Sequence, residues 1–384
     1  MPPSNVQHLR APSHADKLVL SIDQVGVRGI QFVAQNLDPL PDGSPWYQVL
    51  DIRKCLGKLR VTFDGLIWSS PSPPTWQTWN NFSLRDGGRL HYVKLGADIK
   101  GILVCCFAGR NLGIHGFSDT SKSFRMFVDL MNQRSGNGPM YWIYFPINTN
   151  EVIKAAWVRK LRRFNTNSCM PVLTIQTTLG RTSTFGLQSS PLRHDTYEHI
   201  PLVRNGDGAV TGIFHDGLDL GSPYGSIMDF GVTCDPNHRT VGHDAEPPFD
   251  RRDLPLNWHH GGSSEMTWYL TKAPLGGLVK VRVCRNRTLP HQPCIGLLLY
   301  YKYDRVESLG QIRWDLGVSE DVFVPLCFEK EKDTFGKKYI KNFLQKLPSN
   351  LNEPRSGDWQ ELPQEGSVVW WFGRLGDVID AHTN

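Results

Sequence analysis

The run Trp258-His259-His260-Gly261-Gly262 carries the most reactive-looking side chains of the chain. An imidazole beside an indole, in a turn loosened by glycine, can hydrogen-bond or protonate a bound carbonyl. That makes His259 a candidate catalytic group and Trp258 a candidate wall of a binding site; the plainer reading is a strand-end turn with a packed Trp and solvated histidines. Near the C-terminus, Arg374, Asp377 and Asp380 follow Trp370-Trp371-Phe372. A guanidinium there suits an oxygen that gains charge, with Trp371, Asp377 and Asp380 in contact with substrate, whereas the bland alternative is a hairpin turn. Arg313 beside Trp314-Asp315 offers the same chemistry, or an Arg–Asp pair that ties two strands together. Twelve tryptophans, Trp46, Trp76, Trp79, Trp258 and Trp359 among them in loops, can line an apolar pocket, Trp76 being the candidate substrate contact, or can plug the ends of a β sandwich.

The ordinary catalytic phrases are missing. The sequence has no G-x-S-x-G elbow, no Gly-rich phosphate loop, no H-E-x-x-H and no dinucleotide fingerprint. Cys234, His238, His243 and Asp244 are zinc-ligand types, but the second half of a closed zinc set is absent; a polar loop with solvated histidines is the preferred reading. Asp216 and Asp219 do not form a calcium loop. No metal and no cofactor is therefore expected. The eight cysteines show no C-x-x-C spacing and read as reduced, buried thiols, with Cys105 and Cys106 on opposite faces of one strand.

These groups must be held by strands. Residues 173–186, LTIQTTLGRTSTFG, and 297–310, LLLYYKYDRVESLG, align without a gap, with Arg181 over Arg305 and Gly186 over Gly310. A looser copy at 102–116 places Arg110 at the same point but needs one extra residue before Gly116. Each copy reads as a β-hairpin, and repetition of a hairpin implies a β fold built from similar units. A hairpin is expected at 18–33 about Gly26, strands at 91–116 and 139–189 with a turn at Ile147–Asn150, strands again at 256–327, and a last strand at Ser367–Ile379. In KAAWVRKLRR, from Lys154 to Arg163, Ala156, Val158 and Leu161 alternate with Trp157, Arg159 and Arg162, as in a strand with one wet face. Only 331–347 has helical spacing, at Tyr339, Phe343 and Leu344. Periodicity fails between Ser190 and Pro255, where Gly, Asp, His and Pro dominate. The expected organisation is all-β: a flexible tail at 1–16, an N-terminal β lobe at 17–190, a loop-rich connection at 191–255 and a C-terminal β lobe at 256–384. The lobes are expected to be similar, β-prism- or β-sandwich-like, with long loops and one short helix.

Composition narrows the partners. At 384 residues, with 40% hydrophobic and 21% charged side chains, the chain is globular in kind. No apolar run is long enough for a membrane span, and the N-terminus lacks the apolar core of a secretory signal, so a cytoplasmic location is expected. Net charge is +5, with the basic residues scattered rather than striped; a nucleic-acid partner is not expected. Apolar small molecules suit the aromatic content, and homo-oligomerisation stays open.

The strand, Gly-Arg, Thr-Phe-Gly pattern resembles the jacalin-type lectin phrase, and Gly376-x-x-x-Asp380 fits a lectin-type sugar loop. More of the chain is similar to a group of fungal proteins through Val27–Phe32, Asp42–Tyr47, Gly101–Ser118, Arg305–Asp315 and Val369–Ile379. Some members of that group carry an F-box, for which this chain shows no equivalent. Others act as hetero-Diels–Alderases in fungal secondary metabolism, joining a quinone methide to a humulene-type alkene on the way to tropolone sesquiterpenoids. The resemblance implies three options: a cofactor-independent pericyclase acting on a terpenoid and an oxygenated ring, a carbohydrate-binding lectin, or an adaptor that recognises another protein. The absence of every ordinary catalytic phrase fits the first.

Overall fold

A computed structural model of the chain describes residues 11–22, 27–34, 37–40, 46–52, 67–73, 89–136, 138–161, 170–188, 197–217, 225–237, 268–345 and 358–383. Among them the chain is mainly β, with one α-helix. The first strands are β1 (Lys17–Ile22), β2 (Val27–Val33), β3 (Trp46–Asp51), β4 (Ile67–Trp68), β5 (Arg89–Lys94), β6 (Gly101–Phe107) and β7 (Arg110–Phe117), followed by helix α1 (Lys122–Ser135). Then come β8 (Met140–Pro146), β9 (Ile153–Leu161), β10 (Val172–Thr177), β11 (Thr182–Phe185), β12 (Tyr197–Pro201), β13 (Ala209–His215) and β14 (Phe230–Asp235). The remainder runs β15 (Trp268–Pro274), β16 (Leu278–Arg285), β17 (Cys294–Tyr301), β18 (Val306–Gly310), β19 (Val318–Phe323), β20 (Cys327–Lys332), β21 (Lys338–Leu344), β22 (Asp358–Glu361), β23 (Ser367–Gly373) and β24 (Gly376–His382).

One sheet follows the order β11-β10-β9-β13-β5-β4-β3-β1-β2, with β12 added on β9 and β14 on β13. A second follows β15-β23-β24-β21-β17-β16-β19, with β18 on β17 and β20 between β21 and β22. The third is small, β7-β6-β8, and its two faces enter different cores. Ile102, Cys106 and Ile143 join a cluster with Leu173, Val281, Leu297 and Trp370, so the largest core draws on both halves of the chain. Leu103, Cys105 and Trp142 face the other way, toward Phe124, Phe127 and Met131 of α1 and Leu298 of β17. Cys105 and Cys106 thus sit on opposite faces, as adjacent strand residues must.

The repeated phrase folds as the repeated hairpin. Leu173 pairs with Phe185 and the aligned Leu297 with Leu309, so the two close copies share one register. The third copy, β6–β7, takes its extra residue as a bulge: Cys105 pairs with Gly113 and Cys106 with Asn111, leaving Leu112 without a cross-strand partner.

The aligned arginines of the close copies meet at one carboxylate. Arg181 Nε and Nη2 donate to Glu151 at 2.8 and 2.7 Å, Nη1 donates to Glu307 Oε2, and Nη2 also donates to the Pro146 carbonyl. Arg305 Nε and Nη2 donate to the other oxygen of Glu307 at 3.0 and 2.6 Å. Arg181, Glu151 and Glu307 are all buried. Burial by itself would raise the Glu151 carboxyl, but the hydrogen bonds and charge of Arg181 hold it below the usual carboxylate range.

Several expectations change. The helical spacing at 331–347 belongs to a β20–β21 hairpin, in which Phe328 faces Phe343 and Lys330 faces Ile340. Its turn is fixed by Asp333, whose carboxylate accepts from the Phe335 and Lys337 amides, and by Gly336 at φ +78°. The helix lies instead at α1, where Phe124, Phe127, Val128 and Met131 recur at the i, i+3, i+4, i+7 spacing of one buried stripe. The stretch from Ser190 to Pro255 contributes β12, β13 and β14, with β13 inside the large sheet between β9 and β5. Its pattern is obscured by Gly212, where a Cβ would lie 2.4 Å from the Tyr92 ring. The expected wet face of β9 is dry: Trp157 and Arg159 are buried, and the Arg159 guanidinium donates to Gln188 Oε1 at 2.8 Å and to the Leu187 carbonyl and lies 4.4 Å from the Tyr197 ring. Ser367–Ile379 is a hairpin, β23–β24, rather than one strand.

Replacing Arg181 with Met leaves the buried Glu151 without its cation and Glu307 with Arg305 alone, and should cost about 3–5 kcal/mol in chemical denaturation. Arg305→Ala removes a side chain that is 38% exposed and should cost about 1 kcal/mol or less. Equal costs for the two variants would show that the Arg181 cluster does not hold the sheets together.

Candidate functional site

Four elements converge on a cleft of about 630 Å³: β5 supplies His91, Tyr92, Val93 and Lys94, β7 supplies His115 and Gly116, and α1 supplies Ser123, Met126, Phe127, Asp129, Leu130 and Gln133, while β13 backs it through its pairing with β5. The floor follows from local sequence. Antiparallel pairing of β13 with β5 sets His215 directly opposite His91, and their rings lie 5.3 Å apart. His115 stacks on Phe127 at 5.0 Å and lies 6.0 Å from Phe124, so the buried stripe of α1 also fixes this imidazole. Gly116 keeps the wall low; a Cβ there would lie 3.2 Å from both Val93 and Ile99.

Arg134, in the last turn of α1, lies outside the cleft lining and ties the helix to neighbouring backbone. Its Nη1 donates to the carbonyls of Leu112 at 3.2 Å, Gly225 at 3.0 Å and Gly217. The segment after β13 is further tied down by Asp216, which accepts from the Met228 and Asp229 amides at 2.8 and 3.1 Å. Arg134 lies in no ion pair among the described residues, so its charge acts on the imidazoles. Burial first, then the charges of His115 and Arg134, pull the His91 pKa down to about 4. Burial, then His91 and Arg134, hold His215 well below the usual histidine range, and burial lowers His115. At neutral pH all three rings are uncharged, able to give or take one hydrogen bond without a net charge in the cleft. Among the described residues no group of three or more His, Cys, Asp or Glu side chains could hold a metal ion, and no helix is long and apolar enough to cross a membrane.

The residues singled out from sequence fall elsewhere. Trp258, His259 and Trp76 lie outside the described residues, as do His238, His243 and Asp244 of the histidine-rich loop. Cys234 is in β14, its thiol pushed up to about 12 by burial and the nearby Asp207 charge. Arg313 makes a bidentate pair with Asp315 at 2.8 and 2.5 Å and lies 5.1 Å from the Trp142 ring. The C-terminal candidates share the β23–β24 hairpin. Arg374 is exposed in its turn and Trp371 is buried. Asp377 accepts from Trp370 Nε1 at 3.1 Å, and burial raises it to about 7. Asp377 and Asp380, three apart on one strand, point to opposite faces and do not form one site. Arg313 lies apart from this hairpin, just after β18.

The histidines of the cleft were open to view as residues but carried no local signal. His91, His115 and His215 are separated by long stretches of chain, and only the β13–β5 register and the bulge in β7 bring them together. No family model matches the chain, and no curated protein matches it.

The depressed histidine values set the acid limb of stability. The folded state refuses protons that the unfolded chain accepts near pH 6.5, so stability is complete above that value and falls as pH drops toward about 4. His91, which faces His215 from β13, His115 from β7 and Arg134 from α1, accounts for roughly 3 kcal/mol of this loss at pH 4. Urea midpoints measured across this range should fall steadily with acid and fall less in His91→Asn; a flat profile would mean that the rings are charged in the fold.

Proposed function

We propose that the protein is a cofactor-independent pericyclase, a hetero-Diels–Alderase that holds an apolar, humulene-type alkene against a quinone-methide ring and accelerates their cycloaddition. The observation that carries this reading is the cleft between β5, β7 and α1. Val93, Met126, Phe127 and Leu130 line it together with the neutral imidazoles of His91 and His115. Its volume of about 630 Å³ falls within the roughly 300–1,000 Å³ of small-molecule sites.

The chemistry asks for little else. In the cycloaddition, π bonds are exchanged for one new C–C and one new C–O bond; no group leaves, and no proton or electron is exchanged with the protein. Rate then comes from orientation, which supplies on the order of several kcal/mol, and from a donor placed at the carbonyl oxygen, which gains negative charge as the ring becomes aromatic. Apolar side chains serve the first need. An uncharged imidazole N–H serves the second without a charge that would draw water into the cleft.

The direct test is to generate an ortho-quinone methide in the presence of a humulene-type alkene, with and without the purified chain, and to resolve the adducts by chiral chromatography. One stereoisomer should form faster than in buffer. His91→Phe should lower kcat by about 10²–10³-fold, while Phe127→Ala should act mainly on KM. Identical rates and isomer ratios in the presence and absence of the protein would reject the proposal.

A further inference from the structure

His215 is fully buried and does not line the cleft, yet it stands directly behind His91. Its Nδ1 accepts the Gly217 backbone N–H at 3.1 Å. A ring nitrogen that accepts carries no proton, so neutral His215 holds its proton on Nε2. That Nε2 is buried without a hydrogen-bond partner, and so is Nδ1 of His91, on a ring whose centre is 5.3 Å away. An unmade buried hydrogen bond costs about 1–3 kcal/mol, and one donor and one acceptor on adjoining rings remove that cost together, directly or through a single water.

The geometry points to His215 as a positioning residue that sets the tautomer of His91. With the His215 Nε2–H directed to Nδ1 of His91, the His91 proton resides on Nε2, the nitrogen left for the cleft. The chain from the Gly217 amide through His215 to His91 thereby ends in an uncharged N–H donor. This rests on the cleft being the ligand site, as proposed above, and it narrows the ligand to one bearing a neutral acceptor oxygen, a carbonyl rather than a carboxylate, phosphate or ammonium.

The surroundings agree. Lys94 and Asp129, the charged residues lining the cleft, are exposed and of opposite sign. Arg134 is engaged with backbone carbonyls and does not line the cleft. The Tyr92 hydroxyl is 3.3 Å from the Thr233 hydroxyl, so it already has a partner. A carboxylate buried against neutral rings would lose its hydration without an ion to replace it.

The test uses the full chain with ¹⁵N-labelled histidine and three probes of matched shape: acetophenone, α-methylstyrene and benzoate. Long-range ¹H–¹⁵N spectra at about pH 7 should show both His215 and His91 as Nε2–H tautomers. Acetophenone should shift the His91 Nε2 resonance and bind about tenfold more tightly than α-methylstyrene, the worth of one hydrogen bond. His215→Gln, which keeps an amide donor near the Nε2 position, should retain that preference, and His215→Phe should abolish it. His91 found as the Nδ1–H tautomer or as imidazolium, with acetophenone still bound in the cleft, overturns the role of His215 and leaves the site standing. Tightest binding by benzoate overturns the neutral-oxygen assignment. Failure of all three probes to move the His91 or His115 signals overturns the site and this inference with it. Should His215→Phe fail to fold, the tautomers of the unaltered protein still decide.

Discussion

The guanidinium of Arg181 reaches Glu151, Glu307 and the Pro146 carbonyl from a position where almost no water can replace any of them. A charge removed from water is tolerable only when opposite charge and well-aimed hydrogen bonds surround it, and here those partners come from two stretches of chain, both separate from the hairpin that carries Arg181. Satisfying one side chain therefore requires that the turn after β8, the β10–β11 hairpin and β18 be in place together. Apolar contact alone is less exacting, since packed surfaces can slide by a fraction of an ångström at little cost, whereas a fork of five donors cannot. The Asn148 side chain reinforces the seam by accepting from the Val306 amide at 2.6 Å and donating to its carbonyl at 3.3 Å.

That seam matters to the cleft because the small sheet β7-β6-β8 lies between it and α1. One face of this sheet is fixed by the large core and the other receives the helix, so the position of His115 is inherited from packing on both sides. The imidazole beneath it is set differently, by strand register within the large sheet. The cleft is thus the meeting of two independently anchored surfaces. A site of this kind keeps its shape without a ligand, which lowers the cost of ordering on binding.

Much of the architecture was legible because it was written locally. Alternation of apolar residues, Gly-Arg turns and the duplicated phrase announced the hairpins, and even the surplus residue of the third copy was visible as a gap in the alignment. What escaped was non-local or masked by turn chemistry. Tyr339 and Phe343 have a spacing that suits a helix, but Asp333 and Gly336 had already made the turn that commits the segment to a hairpin. The stripe of α1 spans only Phe124 to Met131 and lies between segments that alternate as strands, so its period has little length in which to stand out. β13 reads poorly because Gly212 yields its place to the Tyr92 ring. The site is harder still: His91 and His215 are ordinary until β5 and β13 are known to be neighbours, and no sequence rule names that pairing.

The bulge at Leu112 has a consequence for how one duplicated unit came to differ from its siblings. Leu112 and Ile114 are two residues apart, yet they belong to different cores, so the insertion inverts the side-to-side parity of every later residue in β7. His115 looks toward the helix only because of that inversion. The same irregularity leaves a carbonyl free of ladder duty, and Arg134 takes it. A single added amino acid in an otherwise symmetric repeat thus both aims an imidazole and moors the helix opposite it, a route by which a copied scaffold element acquires a task its twins lack.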